Sequence, residues 1–121
     1  MKISIFGMGY VGCVTSACLV KMGHEVIGVE KNVQKIQILN QGKSPIFEKN
    51  LDKLINSAHK RKKFLATNDS KIAVLNTNIS MICVGTPSSY NGNLNLKYLN
   101  NVVHEISNTL NKLKRYHLII I

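Results

Sequence analysis

Three glycines, Gly7, Gly9 and Gly12, and one carboxylate, Glu30, are the residues of this chain whose types and spacing fit a definite chemistry. A G-x-G-x-x-G turn has almost no side chains of its own and bares backbone N–H groups, which suits it to a phosphate. An acid about twenty residues further on can accept hydrogen bonds from sugar hydroxyls. Each glycine has a mechanical reason: Gly7 permits a tight turn, Gly9 lets a pyrophosphate approach the backbone without meeting a Cβ, and Gly12 allows a following helix to pack close to a strand. The free N–H groups and positive dipole end of that helix would face the phosphates.

The motif carries weight only between a strand and a helix, and the neighbouring sequence supplies both. Lys2-Ile3-Ser4-Ile5-Phe6 is a β-rich run that ends at Gly7. Val11, Val14, Ala17, Cys18 and Met22 then recur at helical spacing, with Gly23-His24 as the stop. Val26 to Glu30 reads as a second buried strand, and Asn32 can cap a helix with Val33, Ile36 and Leu39 or Asn40 on one face, ended by Gly42. Beyond an irregular segment at 43–50, a helix is expected from about Leu51 to Lys60, a third strand at Phe64–Thr67 and a helix at Lys71–Leu75. A fourth strand is expected at Ile79–Val84. Leu96, Leu99, Val103, Ile106, Leu110 and Leu113 outline a long amphipathic helix before a final apolar run, His117 to Ile121.

Strands that alternate with helices, and that read as apolar runs without a polar face, predict an α/β chain: a Rossmann-type doubly wound parallel sheet of order 3-2-1-4-5, truncated after about five strands. In that order strands 1 and 4 are neighbours whose connections leave in opposite directions, which opens a ligand crevice between them. Its lips are Gly7–Gly12 and Gly85-Thr86-Pro87, so Thr86 is expected to reach the ligand. Glu30 would accept from both ribose hydroxyls and repel a 2′-phosphate, which favours NAD over NADP. Lys31 beside it and Lys35 one turn further on weigh against that preference.

The rest of the composition excludes more than it identifies. With 121 residues, 45% hydrophobic and 18% charged, the chain is long enough for one folded domain. No run approaches the roughly 18 to 20 apolar residues of a membrane span. The net charge of +10 raises the question of a polyanionic partner. Its densest runs, His59-Lys60-Arg61-Lys62-Lys63 and Lys112, Lys114 and Arg115, lack the interleaved aromatics that stack on bases, so solvated helix ends are expected, with neither nucleic acid nor membrane as a partner. Cys13, Cys18 and Cys83 form no C-x-x-C pair, and the histidines show no metal-ligand spacing. Buried free thiols, no metal and a reducing, cytoplasmic location are expected.

The stretches Ile3 to Gly12 and Gly23 to Val29, with Tyr10 and Val11 as the pair between glycines, resemble the N-terminal domain of the UDP-glucose/GDP-mannose dehydrogenase family, which oxidises a nucleotide sugar at C6 to a uronic acid. The resemblance covers nearly the whole chain. Asn40-Gln41-Gly42-Lys43-Ser44-Pro45-Ile46 and Val84-Gly85-Thr86-Pro87-Ser88, leading to Asn91-Gly92-x-Leu94-x-Leu96-x-Tyr98, are most similar to its GDP-mannose-oxidising branch. The resemblance implies NAD contacts at Tyr10, Val11, Glu30, Lys35 and Thr86. It also implies GDP-mannose as substrate, a product that feeds acidic exopolysaccharides such as alginate, and a homo-oligomer built through a central region this chain lacks.

Two departures stand out. The family's usual Asp is Glu30 here, and its Glu-Pro-Gly-Leu becomes Glu48-Lys49-Asn50-Leu51. The family's two successive oxidations pass through a catalytic cysteine that follows this region in longer chains. No catalytic residue is therefore expected within 1–121, which would be an incomplete cofactor domain without its central and C-terminal partners. A UDP-glucose-oxidising relative and a non-catalytic NAD-binding remnant are the rival readings.

Overall fold

The structure, a computed structural model, describes residues 1–113 and 115–121, so Lys114 of the second basic cluster lies outside the described residues. The chain runs β1 (Lys2–Phe6), α1 (Tyr10–Lys21), β2 (Glu25–Val29), α2 (Val33–Asn40), α3 (Leu51–Lys60), β3 (Phe64–Thr67), α4 (Ser70–Leu75), β4 (Ile79–Ile82), α5 (Lys97–Leu110) and β5 (Leu118–Ile120). All strand pairs are parallel, in the order β3-β2-β1-β4-β5, as the alternation predicts. Successive side chains of each strand point to opposite faces, and each face buries its own cluster. Ile3, Ile5 and Val26 pack under α1, α2 and α3, while Phe6, Val29 and Ile82 pack under α4 and α5. β1 lies at the centre, and its C-terminal end delivers the glycine turn between the two layers.

The first three helices end by a shared device. After α1, Gly23 at φ +98 donates its N–H to Val20 while His24 donates to Leu19; after α2, Gly42 at φ +74 and Lys43 bond Leu39 and Ile38 in the same way. After α3 the left-handed position falls on Lys62, at φ +55, with its N–H on His59 and that of Lys63 on Ala58. The basic run 59–63 thus forms the last turn and the stop of α3. Asn32 and Asp69 cap α2 and α4 through their side chains, which starts α4 at Ser70, one residue earlier than expected.

Several expectations need correction. The buried stripe of α1 is Gly12, Cys13, Ser16, Ala17 and Val20, whereas Val11, Cys18 and Met22 are exposed. Small residues line the sheet side because the glycine turn brings the helix axis close to it. Val33 of α2 is likewise exposed. β4 stops at Ile82, though Cys83 adds one further bond to Phe6. Leu96 is the N-cap of α5 and Leu113 lies beyond its end.

The sheet is also not purely apolar. Ser4 and Ser80 lie side by side in register, both fully buried, with their hydroxyls 2.7 Å apart. Thr77 stands over them, and His117 Nε2 reaches Ser80 at 2.8 Å. His117 Nδ1 is buried with no hydrogen-bond partner among the described residues.

Two outcomes follow from these local chemistries. Replacing Lys62 by Gly removes the Cβ penalty of a left-handed residue, so Lys62→Gly should raise the denaturation midpoint by the equivalent of about 0.5 to 1 kcal/mol. Burial, aided by the Arg115 guanidinium, holds the His117 imidazole below its ordinary range. Its folded pKa lies below the unfolded one, so the unfolded chain binds the extra proton and stability falls as pH drops below about 6.5. Urea titrations between about pH 7 and 5 should show a loss that is smaller in His117→Gln.

Candidate functional site

The three glycines of the turn answer to different demands. Gly7 sits at φ +95, and a Cβ there would lie 2.9 Å from the carbonyl oxygen of Cys83. At Gly12 a Cβ would come within 1.9 Å of the Gly7 oxygen, which no adjustment of side chains relieves. Both are therefore required by the fold itself. Gly9 is different: it is the N-cap of α1 in extended backbone, and a Cβ there would meet nothing within 4 Å. The space it leaves is a cavity of about 320 Å³ lined by Gly7, Gly9, Glu30, Lys35, Val84 and Glu105, among others. α1 begins with no side-chain cap and no acid in its first turn, so its N-terminal N–H groups and dipole keep their attraction for an external anion.

Glu30 ties this turn to its surroundings. One carboxylate oxygen accepts from Met8 N at 3.1 Å, inside the glycine motif, and the other from Lys31 N at 2.9 Å and Asn32 N at 3.0 Å at the entry to α2. The Lys35 ammonium stands 3.9 Å away. The expected ribose acceptor thus also serves as a latch on the turn. Met8 itself is fully buried over Gly28, where a Cβ would come 2.7 Å from its sulfur. This glycine of β2 belongs to the turn as much as the three in the motif, and its place mid-strand beside large apolar residues is the signal that could have identified it.

The remaining expected residues lie around this centre. Tyr10 and Val11 project outward from the first turn of α1, and Tyr10 Oη donates to Glu48 at 2.9 Å, which raises the phenol pKa. Glu48 belongs to the altered Glu48-Lys49-Asn50-Leu51 segment. There Asn50 takes φ +66, the left-handed conformation a glycine would supply, so the turn survives the substitution. Thr86 is exposed on the opposite lip, one residue past Gly85 of the cavity wall. The structure therefore brings Gly9, Glu30 and Lys35 into one cavity and leaves Tyr10, Val11 and Thr86 outside its walls.

The cysteines are placed as scaffold. Burial pushes the Cys13 thiol up to about 11, and Cys83, partly buried in the cavity wall, is raised by the same cause. Neither is a ready thiolate. Cys18, expected inside, is exposed because it falls on the solvent side of α1. Among the described residues no group of three His, Cys, Asp or Glu could hold a metal, and no helix is long and apolar enough to cross a membrane.

A parallel sheet with a crevice at its switch point, a glycine turn opening onto an uncapped helix and an acid at the end of β2 define a dinucleotide-binding domain of the Rossmann type. The sequence pattern of the UDP-glucose/GDP-mannose dehydrogenase family, NAD binding domain, matches residues 1–121, and the chain belongs to that family. NAD is accordingly its cofactor. It is 46% identical over all 121 residues to GDP-mannose 6-dehydrogenase of Pseudomonas aeruginosa, of which it spans 28%. The solved ternary complex of GDP-mannose dehydrogenase from Pseudomonas aeruginosa superposes with a TM-score of 0.97 at 46% identity, covering 98% of this chain and 27% of that one. A UDP-glucose dehydrogenase from Pyrobaculum islandicum gives 0.93 at 27% identity over the same shares.

Binding should separate the glycines. Gly9→Val places its Cβ in open space, so the variant should fold and yet bind NAD more weakly by at least about 1 to 3 kcal/mol, as should Glu30→Ala. Gly12→Ala should fail to fold. Calorimetry checks the first pair and circular dichroism the last; equal NAD affinity in wild type and both binding variants is the contrary result.

Proposed function

We propose that this chain is the cofactor-holding part of an NAD-dependent nucleotide-sugar 6-dehydrogenase that converts GDP-mannose to GDP-mannuronate. The observation that carries this reading is the open Cβ space at Gly9, facing a cavity that also contains Glu30, in a chain 46% identical to a GDP-mannose 6-dehydrogenase. NAD, when bound, accepts the hydride from C6 of the sugar. The backbone N–H groups at the start of α1, from Gly9 through Gly12, hold the pyrophosphate, and Gly7 sets their direction. Glu30 accepts from the adenosine ribose hydroxyls, exchanging part of its backbone latch for them. Lys35 offsets charge at the ribose edge. Tyr10, Val11 and Thr86, exposed on the lips of the crevice, would contact the part of the dinucleotide that extends beyond the cavity.

The residues at hand bind and orient, and they supply no nucleophile. Hydride transfer requires the sugar C6 to be held against the cofactor, and a second oxidation to the acid requires a thiolate in reach of the aldehyde. The thiols of Cys13, buried, and Cys83, partly buried, are both raised in pKa and supply no such thiolate. We place these groups in the part of the protein beyond the stretch matched here, together with the contacts of a homo-oligomer, and assign the whole to the cytoplasm. Contrary to the expectation of solvated helix ends, the Arg115 guanidinium donates to the carbonyls of Val74, Leu75 and Thr77 and the Lys63 ammonium pairs with Glu25, so both basic clusters have partners within the chain, and we assign neither nucleic acid nor membrane to them.

The 121-residue chain should therefore bind NAD and form no NADH from GDP-mannose or UDP-glucose. The natural-length protein that carries this domain should form NADH from GDP-mannose in preference to UDP-glucose. NADH absorbance measures both; turnover by the chain alone that Cys83→Ser abolishes would overturn the assignment, and a preference for UDP-glucose would reverse the choice of substrate.

A further inference from the structure

Two lysines flank the acid that faces the ribose, and a free cation there would accommodate a 2′-phosphate as readily as Glu30 would repel it. Neither is free. Lys35 is drawn to Glu30 itself, with Nζ 3.9 Å from its carboxylate. Lys31, which also lines the cavity, reaches to α5, where its ammonium meets Glu105 Oε1 at 3.3 Å. The second oxygen of Glu105 accepts the hydroxyl of Ser70 at the start of α4, which fixes the carboxylate on the cavity wall. We infer that Glu105 is a positioning residue for cofactor selection: by holding Lys31 against α5 it keeps the ribose edge without an unpaired cation, and so excludes NADP.

The inference rests on the cavity's being the NAD site and goes beyond it, because Glu105 is remote in sequence from the glycine turn and the acid. Charge arithmetic carries it. Glu30, Lys31, Lys35 and Glu105 sum to zero as arranged, so a 2′-phosphate of about −1.5 to −2 charges would find no net attraction there and two carboxylates nearby. Neutralising Glu105 leaves one positive charge in excess, on a side chain able to swing from α5 back to the ribose edge. Solvent screens part of the effect, since the Lys31 side chain is 72% exposed.

Calorimetric titration of the chain with NAD and with NADP tests it. Glu105→Gln should reduce the NADP-to-NAD ratio of dissociation constants about five- to tenfold, with NAD affinity held within about twofold. Glu105→Asp, which keeps the charge, should retain the wild-type ratio. Adding Lys31→Ala to Glu105→Gln should restore it, and Lys31→Ala alone, which leaves Glu105 uncompensated, should not lower it. An unaltered ratio in Glu105→Gln overturns the inference. So does a lowered ratio that Lys31→Ala fails to restore, which would make the effect a direct one of Glu105. Should Glu105→Gln fail to fold, Glu105→Ala takes its place, with the same fall in the ratio expected and an unaltered ratio overturning the inference. Failure of wild type to bind NAD at all sinks the site itself, a result distinct from every other.

Discussion

The passage of the first turn of α1 over the carbonyl of Gly7 is the constraint on which the rest of the molecule depends. With 1.9 Å between that oxygen and any Cβ at position 12, the helix can lie only where a glycine lets it. That closeness sets the small-residue stripe of α1, because Cys13, Ser16 and Ala17 must then fit against the sheet without large side chains. It also fixes the helix N-terminus at the carboxyl end of β1, between the two layers, with its N–H groups turned outward. The site is thus a by-product of close packing, and only Gly9 among the motif's glycines is left for a ligand.

A second level of control is electrostatic. Glu30 takes three backbone N–H groups from two segments, so the carboxylate that would meet a ribose also holds the turn to α2 before any ligand arrives. A group fixed in this way loses little freedom when it exchanges partners, which favours affinity. The surrounding cations are paired off among Glu30 and Glu105, so a chain of net charge +10 presents a nearly neutral cavity. Global charge and local field are separate quantities here.

Much of this was legible in the sequence because local rules and tertiary demands agree. The glycine spacing, Asn32, Gly23 and Gly42 each act where their chemistry places them, and the strand order follows from the alternation of apolar runs with helical ones. Three features were not legible. The buried face of α1 was misplaced, because hydrophobicity pointed to Val11 and Met22 whereas packing distance selects the smallest residues. The hydroxyl pair Ser4 and Ser80 is hidden in runs that otherwise read as apolar, and its meaning appears only when register sets the two side by side. Asn50 stands where the family has a glycine, and residue type alone does not announce that its backbone is left-handed.

The central position of β1 has a consequence for the order in which the molecule can assemble. β1 pairs with β2 across a short connection, Ile3 with Val26, but with β4 across a long one, Ile3 with Ile79. Closing the shorter loop costs less chain entropy, and a chain made from its N-terminus exposes that unit first. The glycine turn, the α1 terminus and the Glu30 latch all lie within this early βαβ unit, whereas the opposite wall, with Cys83 to Gly85 and Glu105, arrives later. Half of the crevice can therefore acquire its shape while the other half is still being synthesised, and the face of β1 awaiting β4 is the surface that a nascent chain must keep from wrong partners in the meantime.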